Sequence, residues 1–162
     1  MSLSTDSIFI TALQSNTDLL AALTKYTDKE GREYDGGTPR LYGVAIPLPD
    51  EDADNVPVPY AIVTFDGLTN GQGTKDNRYE DSEDKVQIGV EIAARTLDQL
   101  HTITQMVRDT ILTYLRTTPT AINDYQLTAG AIQFDSMKPC YWQVLSYACD
   151  VDNTYDDEQA EE

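Results

Sequence analysis

The fold is decided by the stretch Val86-Gln87-Ile88-Gly89-Val90-Glu91-Ile92-Ala93-Ala94 and by Thr96-Leu97-Asp98-Gln99, which follows it closely. In the first segment, bulky apolar side chains alternate with Gln87, Gly89 and Glu91, which predicts a β-strand with one buried face. In the second, Gln99 stands three residues after Thr96, the spacing of a capping box at the start of a helix. Apolar residues then recur every three or four positions, so we expect a helix over 96–116 that packs on this strand.

Outward from this pair, the pattern predicts N-terminal helical structure over 5–26, either as two short helices (5–15 and 17–26) or as one kinked helix. A polar loop is expected at 27–39. The remaining alternating or extended segments predict strands near 40–46, 60–66, 85–94, 128–138 and 140–151. The strand at 140–151 is apolar on both faces, which favours a central position.

These elements predict a single α+β domain over 1–154. Its sheet is expected to be largely antiparallel, with four to five strands, and to carry the long helix and the short N-terminal helical segment. The segment 155–162 is strongly acidic, and we expect it to be a disordered tail.

The composition excludes several classes of function. Of the 162 residues, 11 are Lys or Arg and 28 are Asp or Glu, which gives a formal net charge of −17. Such a chain repels a phosphate backbone, so nonspecific nucleic-acid binding is not expected. No apolar run approaches the length of about 20 residues that a membrane helix needs, and the first residues do not resemble a signal peptide. We therefore expect an intracellular protein.

Residues for metal or nucleophilic chemistry are scarce. Cys140 and Cys149 are the only cysteines and His101 is the only histidine, whereas a structural zinc site needs four such ligands. The two cysteines are nine positions apart in one predicted strand, so they should lie on opposite faces as buried, reduced thiols. His101 is the only histidine that could serve as a base, and it lies beside the apolar face of the long helix. We expect no catalytic residues and no cofactor.

Two loop motifs have only part of the required pattern. Asp50, Asp52 and Asp54 have the spacing of a calcium loop, but Asn55 stands where glycine is needed and Ala61 where a glutamate is needed. The interpretation is a solvated acidic loop, and weak calcium binding there remains open. A glycine-containing stretch at 67–75 lacks the Gly-Lys-Ser/Thr ending of a phosphate-binding loop.

The order of elements resembles the tail terminator and tail-completion proteins of long-tailed bacteriophages and prophages. The resemblance covers about residues 5–152. It is carried by the opening helix through Leu23, the strand start Arg40-Leu41-Tyr42, Val58-Pro59-Tyr60-Ala61-Ile62-Val63, the strand Val86-Gln87-Ile88-Gly89-Val90-Glu91-Ile92-Ala93, the capped helix from Thr96, and two final strands.

The resemblance implies a non-enzymatic subunit of a ring, commonly a hexamer, that caps the tail tube and joins it to the head. Its partners would be copies of itself and the tail-tube and head-completion proteins, with DNA only passing through a central hole. It would be found in the virion, and in the host cytoplasm during assembly. An acidic protein-binding module of unknown partner and a small enzyme with an unrecognised site remain as alternatives.

One loop stands out as a candidate interface. Residues 67–84 are polar, contain glycine and are too long for a tight hairpin, and such loops are commonly functional or disordered. Basic and acidic side chains are mixed in and beside it, which suits contact with an acidic neighbour. The candidate interface residues are Lys75, Arg78, Tyr79 and Lys85, with Arg78 and Tyr79 as the anchor pair. A solvent-exposed linker is the alternative.

Overall fold

The computed structural model describes residues 4–28, 30, 32–35, 38–43, 58–70, 83–137 and 139–152. Along these residues the elements are α1 (Thr5–Gln14), α2 (Thr17–Thr24), β1 (Lys25–Thr27), β2 (Glu33–Asp35), β3 (Leu41–Gly43), β4 (Tyr60–Asn70), β5 (Glu83–Ala94), α3 (Leu97–Thr117), β6 (Ile122–Ala129), β7 (Gln133–Asp135) and β8 (Cys140–Asp152). The predicted α+β class is confirmed.

The main sheet of the described residues has six strands, in the order β3-β4-β5-β8-β6, with β7 also pairing with β8. Strand β8 lies between β5 and β6, so the predicted central position of this segment is confirmed. All pairings are antiparallel except that of β3 with β4, which is parallel. The sheet is therefore largely antiparallel, as predicted.

The structure corrects several predicted boundaries. The strand expected over 128–138 is two strands, β6 and β7, separated at residues 130–132. The predicted helix over 17–26 ends at Thr24, and the supposed loop at 27–39 contributes β2, which pairs with β1 in a small separate sheet. Tyr26 and Tyr34 stack across this pair with ring centroids 6.0 Å apart, which favours a hairpin there.

The predicted N-terminal helices are two helices rather than one kinked helix. Asn16 begins α2, because its side-chain oxygen accepts hydrogen bonds from the backbone N–H groups of Asp18 and Leu19. Thr96 caps α3 by accepting a hydrogen bond from the N–H of Gln99 at 3.2 Å. Gln99 in turn accepts from the N–H of Arg95, so this start resembles the predicted capping box.

The core lies between the three helices and one face of the main sheet. The predicted apolar faces of β5 and α3 are both fully buried in one cluster, which confirms that they pack together. Its members from these two elements are Val86, Ile88, Val90, Ile92, Leu100, Ile103, Val107 and Ile111. Helix α1 adds Phe9, whose ring contacts that of Tyr147 at a centroid distance of 5.0 Å.

Arg40 fastens the small N-terminal hairpin to the main sheet. Its side chain is only 5% exposed and its guanidinium donates hydrogen bonds to three backbone carbonyl oxygens. The acceptors are Pro59 at 2.8 Å, Thr24 at 3.2 Å and Lys25. The carbonyl groups at the end of α2 are thereby satisfied by a side chain rather than by a further helical turn.

Candidate interaction surfaces

The structure describes one of the four predicted interface residues, Lys85. Strands β4 and β5 extend to Asn70 and from Glu83, and Asn70 pairs with Asp84, so the ends of the expected 67–84 loop belong to the sheet. Lys75, Arg78 and Tyr79 lie outside the described residues, as do Asp50, Asp52 and Asp54 of the acidic loop. The interface role of Lys75, Arg78 and Tyr79 stays a prediction.

Lys85 belongs to β5 and not to a loop. Its side chain is 64% exposed, and its Nζ atom lies 2.5 Å from Oδ1 of Asp150 on the neighbouring strand β8. This is an exposed cross-strand ion pair, which contributes little to stability. Lys85 thus lies within the strand predicted over 85–94, and its role at an interface stays a prediction.

The second face of the main sheet carries its own small cluster. Val58, Ala93 and Cys140 are buried together there, and the half-buried rings of Tyr60 and Trp142 pack against them. No described helix contributes to this cluster. The hydroxyl of Tyr60 donates a hydrogen bond to Glu91 at 3.3 Å, and burial together with that carboxylate raises the pKa of Tyr60. This ring therefore stays neutral at physiological pH.

The β7–β8 hairpin presents apolar side chains to solvent. Phe134 is 54% exposed and Met137 is 75% exposed, with Ile132 close to them in sequence at 39%. The ring of Phe134 packs on Tyr141 at a centroid distance of 4.9 Å, which holds it on the surface. Exposed apolar groups of this size that lie together are typical of protein contacts.

A further surface lies between α3 and β6, and we call it the α3–β6 groove. At one end, a cleft of about 410 Å³ is lined by Leu112, Leu115, Arg116 and residues 122–125. At the other end, a cleft of about 360 Å³ is lined by His101, Thr104, Gln105, Arg108, Leu127, Ala129, Gln143 and Leu145. The groove thus combines an apolar floor with two arginines.

The groove leaves polar groups without partners in the described structure. Neither Arg108 nor Arg116 forms an ion pair with another described residue. Both lie close enough to Tyr125 for their charges to oppose the rise in its pKa that burial causes. The hydroxyl oxygen of Thr104 is buried in the groove wall and makes no hydrogen bond. Sequence reasoning missed this surface, although two arginines eight positions apart on one helix were a visible signal.

Another cleft, of about 560 Å³, lies between the α1–α2 turn and the second half of α3. Its wall includes Asn16, whose amide donates a hydrogen bond to the hydroxyl of Thr110 at 2.7 Å. The other lining groups are mainly threonine hydroxyls and the carboxylates of Asp18 and Asp109. No nucleophile with an activating base is found among its lining residues.

The cysteines occupy the opposite faces that their spacing predicts. Cys149 lies in the main core, whereas Cys140 lies in the small cluster on the second sheet face, and neither forms a disulfide. Burial raises the pKa of Cys149 to about 12, so this thiol is protonated and unreactive at neutral pH. His101 is exposed on α3. The described residues contain no group of three or more His, Cys, Asp or Glu side chains placed to hold a metal ion.

In the part of the chain that the structure describes, every helix is too short or too polar to cross a membrane.

Comparison with known proteins adds a structural likeness. No family model matches the sequence, and no curated protein matches it. Among solved structures, a chain described as "Virion of native gene transfer agent (GTA) particle" is similar, with a TM-score of 0.51 and 10% sequence identity. The similarity covers 90% of this chain and 92% of that chain. The fold of this protein is therefore shared, over nearly its whole length, by a chain of a virion particle.

Proposed function

We propose that this protein is a structural component of a phage-like virion. More specifically, we propose a ring-forming subunit that caps the tail tube and joins it to the head. The observation that carries the proposal is the fold shared with a virion chain over 90% of this sequence. The resemblance of the element order to tail terminator and tail-completion proteins supports the finer role.

The surfaces of the molecule are compatible with assembly into a ring. A ring subunit needs two different contact surfaces, because a head-to-tail interface joins one patch to another. The exposed β7–β8 hairpin and the α3–β6 groove are two such patches on the described residues. The net charge of −17 would make a central hole repel phosphate groups, so that DNA would pass without being held.

The connection between β4 and β5 is proposed as an arm that reaches a neighbouring subunit or the tail tube. Since Asn70 pairs with Asp84, the two strands are already held together where the connection begins and ends. Replacing 71–82 by a four-residue turn should therefore leave the fold and the melting temperature unchanged. We expect the same variant to fail in joining tails to heads, with Arg78 and Tyr79 as the lost anchors.

The experiment for the function uses a strain that produces the particle. Deleting the gene for this chain should leave separate heads and tails, visible by electron microscopy, and the parent gene should restore complete particles. The arm-shortened variant tests the arm separately in the same complementation assay. Complete particles in the deletion strain would refute the joining role, whereas complete particles with the shortened variant would refute only the arm. The proposed sites of action are the virion and, during assembly, the host cytoplasm.

A further inference from the structure

We propose that the acidic segment Tyr155–Glu162 of this chain binds intramolecularly in the α3–β6 groove, with its carboxylates on Arg108 and Arg116. The proposal does not depend on the role in a virion. It rests on the place where the described chain ends, on the length of the segment that follows, and on charge complementarity.

The described part of the chain ends at the groove. Val151 pairs with Ile122, and the N–H of Asp152 donates a hydrogen bond to the carbonyl oxygen of Ala121 at 2.8 Å. Ile122 lines the cleft that also contains Arg116. Asp152, the last residue that the structure describes, therefore lies at one end of the groove, beside the end of α3.

The segment is long enough to follow the groove. Ten residues, 153–162, extend to about 33 Å, whereas the eight residues of β6 extend to about 26 Å. Because the segment is tethered next to its binding surface, its effective concentration is in the millimolar range, so an interaction with a dissociation constant of about 1 mM or below is substantially occupied.

The chemistry of the two surfaces is complementary. Five of the eight residues 155–162 are acidic and none is basic. In a chain with only 11 basic residues, two arginines line this one groove and neither pairs with another described residue. Leu127 and Ala129, which line this cleft, offer apolar surface on which Tyr155 or Ala160 can pack.

Docking of the tail would cover the groove until another acidic surface competes for it. The interaction is electrostatic and exposed, so it should weaken as salt screens the charges. A partner could then gain access to Arg108 and Arg116 only by displacing the tail, which makes the segment a built-in competitor for this surface.

The test places a nitroxide on the full-length chain through Gln159→Cys. Cys140 and Cys149 are buried, so the nitroxide reagent should react with the introduced cysteine. In dilute, ¹⁵N-labelled protein at 50 mM salt, we expect paramagnetic broadening of amide signals that, outside the tail itself, is strongest over Arg108–Arg116 and Ile122–Ala129. At 0.5 M salt the broadening should fall by about half or more.

Two full-length variants sharpen the test. The double substitution Arg108→Glu and Arg116→Glu changes exposed residues. It should abolish the broadening, while the rest of the spectrum remains that of the folded protein. A matched control, Lys25→Glu with Arg32→Glu, makes the same charge change on exposed residues outside the groove and should leave the broadening intact.

Other outcomes would overturn the proposal. Broadening spread evenly over the surface, or broadening that survives the arginine reversal, would show that the tail does not bind in the groove. In a mixed sample, one chain carries ¹⁵N but no nitroxide, and the other carries the nitroxide but no ¹⁵N. Broadening of the ¹⁵N signals in this mixture would assign the groove to the tail of a second copy, and the intramolecular proposal would fail.

Discussion

Replacing Arg40 by methionine tests how the N-terminal hairpin is held on the sheet. Methionine keeps the length and much of the aliphatic volume of the side chain but removes every donor. The substitution leaves the carbonyl oxygens of Thr24, Lys25 and Pro59 without the guanidinium. The residue is 5% exposed, so little water can reach the vacated site without rearrangement.

The expected loss follows from the three hydrogen bonds. Bonds to a charged donor contribute about 1.5–3 kcal/mol each, and two of these lie in partly buried positions where water recovers part of the loss. A total of about 3 kcal/mol is therefore expected. For a chain of this length, each 1 kcal/mol lowers the melting temperature by about 2–4 °C, so Arg40→Met should melt about 6–12 °C below the parent.

Thermal and urea unfolding followed by circular dichroism measure the effect. Arg32→Met is the matched control, because Arg32 is exposed and its side chain makes no hydrogen bond to a described residue, and it should shift the midpoint by less than about 2 °C. The dependence of the unfolding free energy on urea should stay unchanged in both variants. If Arg40→Met melts together with Arg32→Met, the guanidinium does not fasten the hairpin and this reasoning is refuted.

Three further predictions follow from the core, the net charge and the buried thiol. Val90→Asp should abolish cooperative unfolding, because Val90 is fully buried and an unpaired carboxylate there costs several kcal/mol of a free energy of unfolding of roughly 5–15 kcal/mol. A normal melting curve would show that Val90 does not lie in the core. Light scattering should show a monomer or weak association at 0.1 M salt and stronger association at 1 M, because salt screens the repulsion among subunits that each carry a net charge of −17. The Debye length falls from about 10 Å to about 3 Å over this range. Association that weakens with salt would count against ring formation. The pKa of Cys149 is raised to about 12, so the folded state favours the neutral thiol. This preference stabilises the fold fully below pH 9, and the stabilisation is lost as the pH rises from 9 to 12. Urea titrations across that interval should show this loss in the parent, and the loss attributable to the thiol should be absent in Cys149→Ala.

The sequence predicted the elements in which local signals agree. Strand β5 and helix α3 combine regular alternation, helical spacing and a capping threonine, and their packing in one core is confirmed. The central place of β8 followed from its apolar residues on both faces. These features need no knowledge of the rest of the chain, because the periodicity of a segment reflects which of its faces is buried.

Irregular pairing concealed the ends of two strands. In β4 the core-facing residues are Phe65 and then Leu68, because a bulge at Asp66 inserts one residue into the pattern. In β6 a bulge at Asn123 separates Ile122 from Tyr125 in the same way. A bulge breaks the alternation of period two, so a segment that is a continuous strand in the sheet looks irregular in the sequence.

The tertiary structure alone decided where the interaction surfaces lie. Lys85 stands at the start of a predicted strand, but its partner Asp150 is 65 residues away and becomes a neighbour only when β5 pairs with β8. Arg40 contacts carbonyl groups that precede it and one that follows it by 19 positions. Likewise, Arg108 and Arg116 line a groove only because β6 pairs beyond β8 while α3 crosses the centre of the sheet. Local composition determines which segments are helix or strand, whereas a surface depends on which distant segments meet, and that is fixed by strand order and register.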